Sequence, residues 1–110
     1  MIEDEYLVAE EIRFYLNRAG FAEIEHAATE DKALKRIADA AWDAAIVDAN
    51  LNGRGMGAVA DSLFKHRIPF VIVTGYGRES LPERVADVPI VDKPFRPKTL
   101  VDAVSKLFSK

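Results

Sequence analysis

The stretch that decides the fold is Ala44-Ala45-Ile46-Val47-Asp48, running on into Ala49-Asn50-Leu51-Asn52-Gly53. Its first four residues are continuously apolar and too few for a helix, so they read as a strand covered on both faces. The run ends on an acid, Asp48, and gives way to a loop rich in Gly and Asn from Asn50 to Gly57. Two more runs repeat the pattern. Pro69 opens Phe70-Val71-Ile72-Val73, which ends at Thr74 and the loop Gly75-Tyr76-Gly77. Val88-Pro89-Ile90-Val91 ends at Asp92-Lys93-Pro94, and its internal proline places it at a sheet edge.

Helical spacing fills the intervals. A first helix begins near Glu5, with Val8, Ile12, Tyr15 or Leu16, and Ala19 on one face, and Gly20 stops it. Ala22 to Ala27 alternates, with Glu23 and Glu25 on one side, as suits an exposed edge strand. Thr29 caps a second helix whose buried stripe is Ala33, Leu34, Ile37, Ala38 and Ala41. A third carries Val59, Ala60, Leu63 and Phe64. Ser80-Leu81-Pro82-Glu83 has the form of a capping box before a short helix. Pro97 sits in the first turn of a last helix, made amphipathic by Leu100, Val104 and Leu107. Alternating strands and helices predict one α/β domain over residues 1–110, a parallel doubly wound sheet of five β/α units with right-handed crossovers. Such sheets collect their chemistry at the carboxyl ends of the strands.

Composition narrows the function. A length of 110 residues allows one domain with a real core. The absence of Cys excludes disulfides, thiolate metal sites and thiol catalysis. No apolar run exceeds four residues, which excludes a membrane-spanning helix. The acidic start, Met1-Ile2-Glu3-Asp4-Glu5, is unlike a secretory signal, so the cytoplasm is the expected compartment. A net charge of −3 with mixed signs does not suggest a nucleic-acid or membrane binder.

Four strand ends carry polar residues: Glu3 and Asp4, Asp48, Thr74, and Lys93. Taken singly each has an ordinary explanation: a turn former, a β-branched strand residue, a solvated lysine. A parallel sheet, however, brings all four ends to one rim. Carboxylates crowded there repel unless one is protonated or a hard cation neutralises them, and an oxygen-only ligand set points to Mg²⁺. Asp48 could then attack a phosphoryl group in line, with Lys93 offsetting charge on its oxygens and the Thr74 hydroxyl donating to another. No general base is placed to turn over a separate organic substrate, so the chain is not expected to be an enzyme.

At this point the chain resembles the receiver domains of response regulators. The resemblance rests on Glu3-Asp4-Glu5, on Asp48 with Gly53 downstream, on Val73-Thr74-Gly75 and on Asp92-Lys93-Pro94-Phe95, in the right order over essentially the whole chain. It implies a flavodoxin-like (βα)5 fold with strand order 2-1-3-4-5. It further implies that Asp48 accepts a phosphoryl group from the phosphohistidine of a histidine kinase or phosphotransfer protein. By the same resemblance Asp4 and Asp48 bind Mg²⁺, Glu3 acts largely through water, and the Asn50 main-chain carbonyl completes the protein ligands. Thr74 is then the switch hydroxyl, Lys93 the phosphoryl-binding cation, and Lys93-Pro94 a cis peptide that aims the lysine inward. Output passes through a downstream protein whose identity the sequence does not give.

Three departures from the family pattern matter. Ile90 stands where receivers usually carry an aromatic residue, which leaves Tyr76 as a candidate reporter of phosphorylation. The segment from Pro69 to Gly77 resembles a single-domain subgroup named for a Phe-Ala-Thr-Gly-Tyr motif, which works with kinases of the HWE or HisKA2 class. Finally, only Met1 and Ile2 precede the acidic pair, so the first strand is unusually short and leaves backbone groups beside it unpaired. The alternatives are a truncated start, or a gap filled by another segment or by a second copy of the chain in a homodimer.

Two other readings compete. One is a receiver-like binding module that is never phosphorylated. The other is an aspartate-nucleophile phosphatase of the haloacid-dehalogenase type, a class that needs an acid two residues past the nucleophile, where this chain has Asn50. The glycines between Gly53 and Gly57 fail the dinucleotide spacing. His26 and His66 have no partner at metal-ligand spacing and read as surface or packing residues, while Trp42 is expected to cover the end of the second helix.

Overall fold

In a computed structural model the apolar runs become the strands of a parallel sheet; residues 1–51, 54–75 and 81–108 are described. The regular strands are β1 (Ala45–Asp48), β4 (Phe70–Thr74) and β5 (Ile90–Asp92), hydrogen-bonded in the order β1-β4-β5. Their register pairs Asp48 with Val73 and Thr74 with Asp92, which sets the polar ends side by side. Between Asp48 and the third helix the chain forms a small antiparallel hairpin, β2 (Asn50–Leu51) with β3 (Arg54–Gly55), where the sequence reads as open loop. Leu51 and Met56, both buried, anchor it to the core.

The two amino-terminal strands are reduced to bridges. Ile2 forms one parallel bridge to Ala27 and one to Val47. The spatial sequence is therefore Ala27, Ile2, β1, β4, β5, which is the expected 2-1-3-4-5 order. The first strand is as short as expected, but the second, expected over residues 22–27, is corrected: residues 22–26 carry no ladder and Ala27 alone of that stretch bridges Ile2. The Met1 ammonium donates to the Glu25 carbonyl at 2.8 Å. At this end of the sheet lies a cavity of about 40 Å³ lined by Met1, Ile2, Ala27, Ile37, Trp42 and Leu63. The last strand begins at Ile90 rather than Val88, since Pro89 has no N–H to give; its carbonyl still accepts from the Ile72 amide at 2.9 Å.

Helices cover both faces. Side chains alternate along the strands, so Val47, Phe70 and Ile72 meet α2 (Glu30–Asp39) and α3 (Gly57–Lys65), while Ile46, Val71, Val73 and Val91 meet α1 (Tyr6–Arg18) and α4 (Pro97–Lys106). α1 buries Ala9, Ile12 and Leu16, a stripe turned from the expected one, with Ala19 exposed beyond its end. It stops as the glycine predicts: Gly20 takes φ +104°, its amide reaches Asn17 O and the Phe21 amide reaches Leu16 O, a Schellman closure. Thr29 caps α2 by accepting from the Lys32 amide at 3.2 Å. Ala33 and Ile37 are buried there, but Ala38 and Ala41 face outward. Trp42 closes the helix end, its indole N–H donating to Arg36 O at 2.7 Å. In α3, Val59, Ala60 and Leu63 are buried; Phe64 is largely exposed and packs edge-on against Phe70. The short helix expected after Ser80 is a single 3₁₀ turn, Glu83–Val85, with Ser80 outside the described residues. Among the described residues no helix is long and apolar enough to cross a membrane.

Candidate functional site

The polar strand ends converge as the register requires. Glu3, Asp4 and Asp48 each offer a carboxylate oxygen within 4.8 Å of the others. Glu3 and Asp48 are buried and Asp4 half-buried. Immediately after β5, the Lys93 ammonium lies 3.3 Å from Glu3 Oε1 and 3.5 Å from Asp48 Oδ1. Thr74, also buried, closes β4 one position past the partner of Asp48, and its carbonyl accepts from the Lys93 amide at 2.8 Å. Lys93–Pro94 is cis.

Backbone geometry holds these groups in place. Asp48 N donates to Ile2 O at 2.8 Å, which fixes the acidic pair against β1. The Asn50 amide donates to Asp48 Oδ1 at 3.2 Å, and the Glu5 amide to Glu3 Oε2 at 3.2 Å. Both contacts are local side-chain turns that orient a carboxylate.

The charges are strongly perturbed. Burial, reinforced by a hydrogen bond to Asp48 and by its charge, pushes the Glu3 carboxyl up to about 8. Burial and a hydrogen bond with Asp4 raise Asp48 as well. Burial works against the Lys93 ammonium, yet the charges of Glu3 and Asp48 outweigh it and hold its pKa above the ordinary lysine value. Without a metal, protons and one ammonium balance the carboxylates. A small hard cation would do the same with oxygen ligands throughout. Clustered carboxylate oxygens, one edge taken by lysine and no sulfur or imidazole in the group, fit Mg²⁺.

The remaining expected residues are less central. Asn50 is exposed, two positions past Asp48. Ile90 is half-buried in β5, paired with Ile72 and packed on the side of α2 and α3. Tyr76 and Gly53 lie outside the described residues. Sequence reading missed His26. Its Nε2 lies 2.7 Å from the Glu3 carbonyl oxygen, and no motif spacing announces that contact.

A flavodoxin-like sheet whose carboxyl rim gathers acids, a threonine and a lysine defines a receiver class of protein. The chain belongs to the response regulator receiver domain family, whose model it matches over residues 1–105. It is similar to the solution structure of SdrG from Sphingomonas melonis Fr1, at 34% identity over 97% of this chain and 92% of that one, with a TM-score of 0.83. It is also similar to the receiver domain of the PhyR response regulator from Erythrobacter litoralis, at 27% identity over 98% and 86% of the two chains, with a TM-score of 0.78. A third structure is a mutant of the anti-anti-sigma factor PhyR from Bartonella quintana, at 30% identity and a TM-score of 0.78; the match covers 97% of this chain and 46% of that one. No curated protein matches the chain.

Proposed function

We propose that this receiver domain takes a phosphoryl group onto Asp48 from the phosphohistidine of a histidine kinase or phosphotransfer protein in the cytoplasm. The observation that carries the reading is the Asp48 carboxylate, set among Glu3, Asp4 and Lys93 at the carboxyl rim of the sheet. An Asp48 oxygen forms the new bond to phosphorus as the bond from the donor nitrogen breaks, and the freed imidazole regains a proton. Lys93 stands where it meets negative charge on the transferred group. Thr74, at the end of the adjacent strand, offers a hydroxyl to another of its oxygens. Asp4 and Asp48 would hold Mg²⁺, with Glu3 bound through water and the Asn50 carbonyl completing the set. Bound there, the ion would supply positive charge that offsets the carboxylates and the transferred phosphoryl group.

Output passes through protein contacts. Phosphorylation draws Thr74 and the loop after it toward Asp48, and the surface formed by residues 83–92 and α4 changes its affinity for a partner. Likeness to SdrG and PhyR supports that signalling setting, and the Phe-Ala-Thr-Gly-Tyr-like segment supports a donor of the HWE or HisKA2 class. Acetyl phosphate with Mg²⁺ should add one phosphoryl group to the wild type and none to Asp48→Asn, read by intact mass. Equal labelling of both would remove the assignment.

A further inference from the structure

The acidic pair sits on the weakest strand of the sheet. On the Ala27 side, the Ala27 amide bonds to Met1 O at 2.9 Å and the Glu3 amide to Ala27 O at 3.1 Å; there the ladder stops, because the chain turns at Thr29 into α2. The next acceptor on that edge is the Glu3 carbonyl, and His26 Nε2 reaches it at 2.7 Å. A carbonyl oxygen can only accept, so the ring nitrogen carries the proton and donates. The Glu3 oxygen and the Asp4 nitrogen belong to one planar peptide unit. A donor fixed on that oxygen therefore sets the orientation of the unit joining the two acids, one inside the site at 1% exposure and the other half-buried.

The geometry points to His26 as a positioning residue: its ring N–H stands in for a missing ladder bond and holds the Glu3–Asp4 peptide in the orientation that presents both carboxylates to a divalent cation with Asp48. This rests on the metal reading above. Outer hydrogen bonds that orient carboxylate ligands typically govern metal affinity by an order of magnitude or more.

The test is a direct Mg²⁺ titration followed by NMR amide shifts, with no phosphoryl donor present. His26→Phe keeps a ring at that position and removes the donor; His26→Gln keeps an N–H at a similar reach. The expected result is a roughly tenfold rise in half-saturating Mg²⁺ for His26→Phe, with a displaced Asp4 amide resonance, and recovery to within about twofold in His26→Gln. Folding of each variant is checked by the dispersion of the same spectra. Wild-type affinity in a folded His26→Phe, or a His26→Gln as weak as His26→Phe, would overturn the inference while leaving the metal site standing. A wild type that shows no Mg²⁺-dependent shift would overturn both.

Discussion

The Lys93 ammonium lies 3.5 Å from Asp48 Oδ1 although 45 positions of sequence separate the two residues. The parallel pairing of β1 with β4 and of β4 with β5 closes that distance. Lysine thus occupies the flank of the proposed acceptor, where a phosphoryl oxygen would need it, and it would also compete with a metal for the same negative charge. Lys93→Ala separates these roles. Mg²⁺ binding should be unchanged or tighter, while labelling by acetyl phosphate should fall at least tenfold, about 1.4 kcal/mol of barrier. Parallel loss of both, in a folded variant, would show that Lys93 serves the metal site instead.

Thr74 ends a strand buried at every position. Thr74→Val keeps the branched shape and removes the hydroxyl, so Mg²⁺ binding should stay within about twofold and stability should drop by about 1 kcal/mol. The amide shifts that beryllofluoride induces across residues 83–92 should shrink or vanish. Full retention of those shifts would mean that the switch does not run through this hydroxyl.

The Glu3 carboxyl, at about 8 in the folded chain against an ordinary 4.5, makes the metal-free protein hold a proton that the unfolded chain releases. Its stabilising effect is complete below pH 4.5 and is lost as pH rises toward 8 and beyond. Burial lowers the Met1 amine to about 6, which acts in the opposite sense over part of that window. Comparison with Glu3→Gln isolates the carboxyl. In denaturant melts without metal, the variant should gain on the wild type steadily from pH 5 to pH 8, by about 1.4 kcal/mol for each tenfold difference in proton affinity removed. A constant difference across that range would count against the buried proton.

Two residues of α3 should behave very differently. Leu63 is fully buried, and Leu63→Ala should cost about 2–5 kcal/mol in chemical melts. Asp61 receives Arg84 Nε at 2.6 Å across the surface, with both side chains about half exposed, so Asp61→Ala should change stability by no more than about 1 kcal/mol. A large loss for Asp61→Ala would mark that ion pair as a strap holding the 83–85 turn on α3.

The sequence made the centre of the fold readable and its periphery less so. Continuous apolar runs before Asp48 and Thr74 announce buried parallel strands, and their polar ends announce the site. Thr29 and Gly20 announce helix ends because capping and positive φ are local chemistry. The hairpin after Asp48 depends on Leu51 and Met56 finding the core, a tertiary event that a Gly- and Asn-rich segment conceals. Residues 22–26 alternate like a strand, yet a ladder needs a neighbour as well as a pattern. His26 was unreadable for the same reason: its partner is a main-chain carbonyl 23 positions away, and backbone acceptors leave no trace in side-chain spacing.

The bridges at Ile2 have a consequence for how the rim responds to cargo. Asp48 and Thr74 close continuous ladders and Lys93 is tied to Thr74 by its amide, whereas Glu3 and Asp4 hang from a few bonds, the kind of edge that opens at lower free energy. A cation gripped by both sets ties the loose amino-terminal edge to the rigid centre and draws its fluctuations down by mass action. Amide hydrogen exchange of residues 2–5 and 27 should therefore slow on adding Mg²⁺ far more than that of residues 71–73. A divalent ion held there would be a structural rivet as well as a participant in the proposed chemistry, and its concentration would set how firmly this edge is closed.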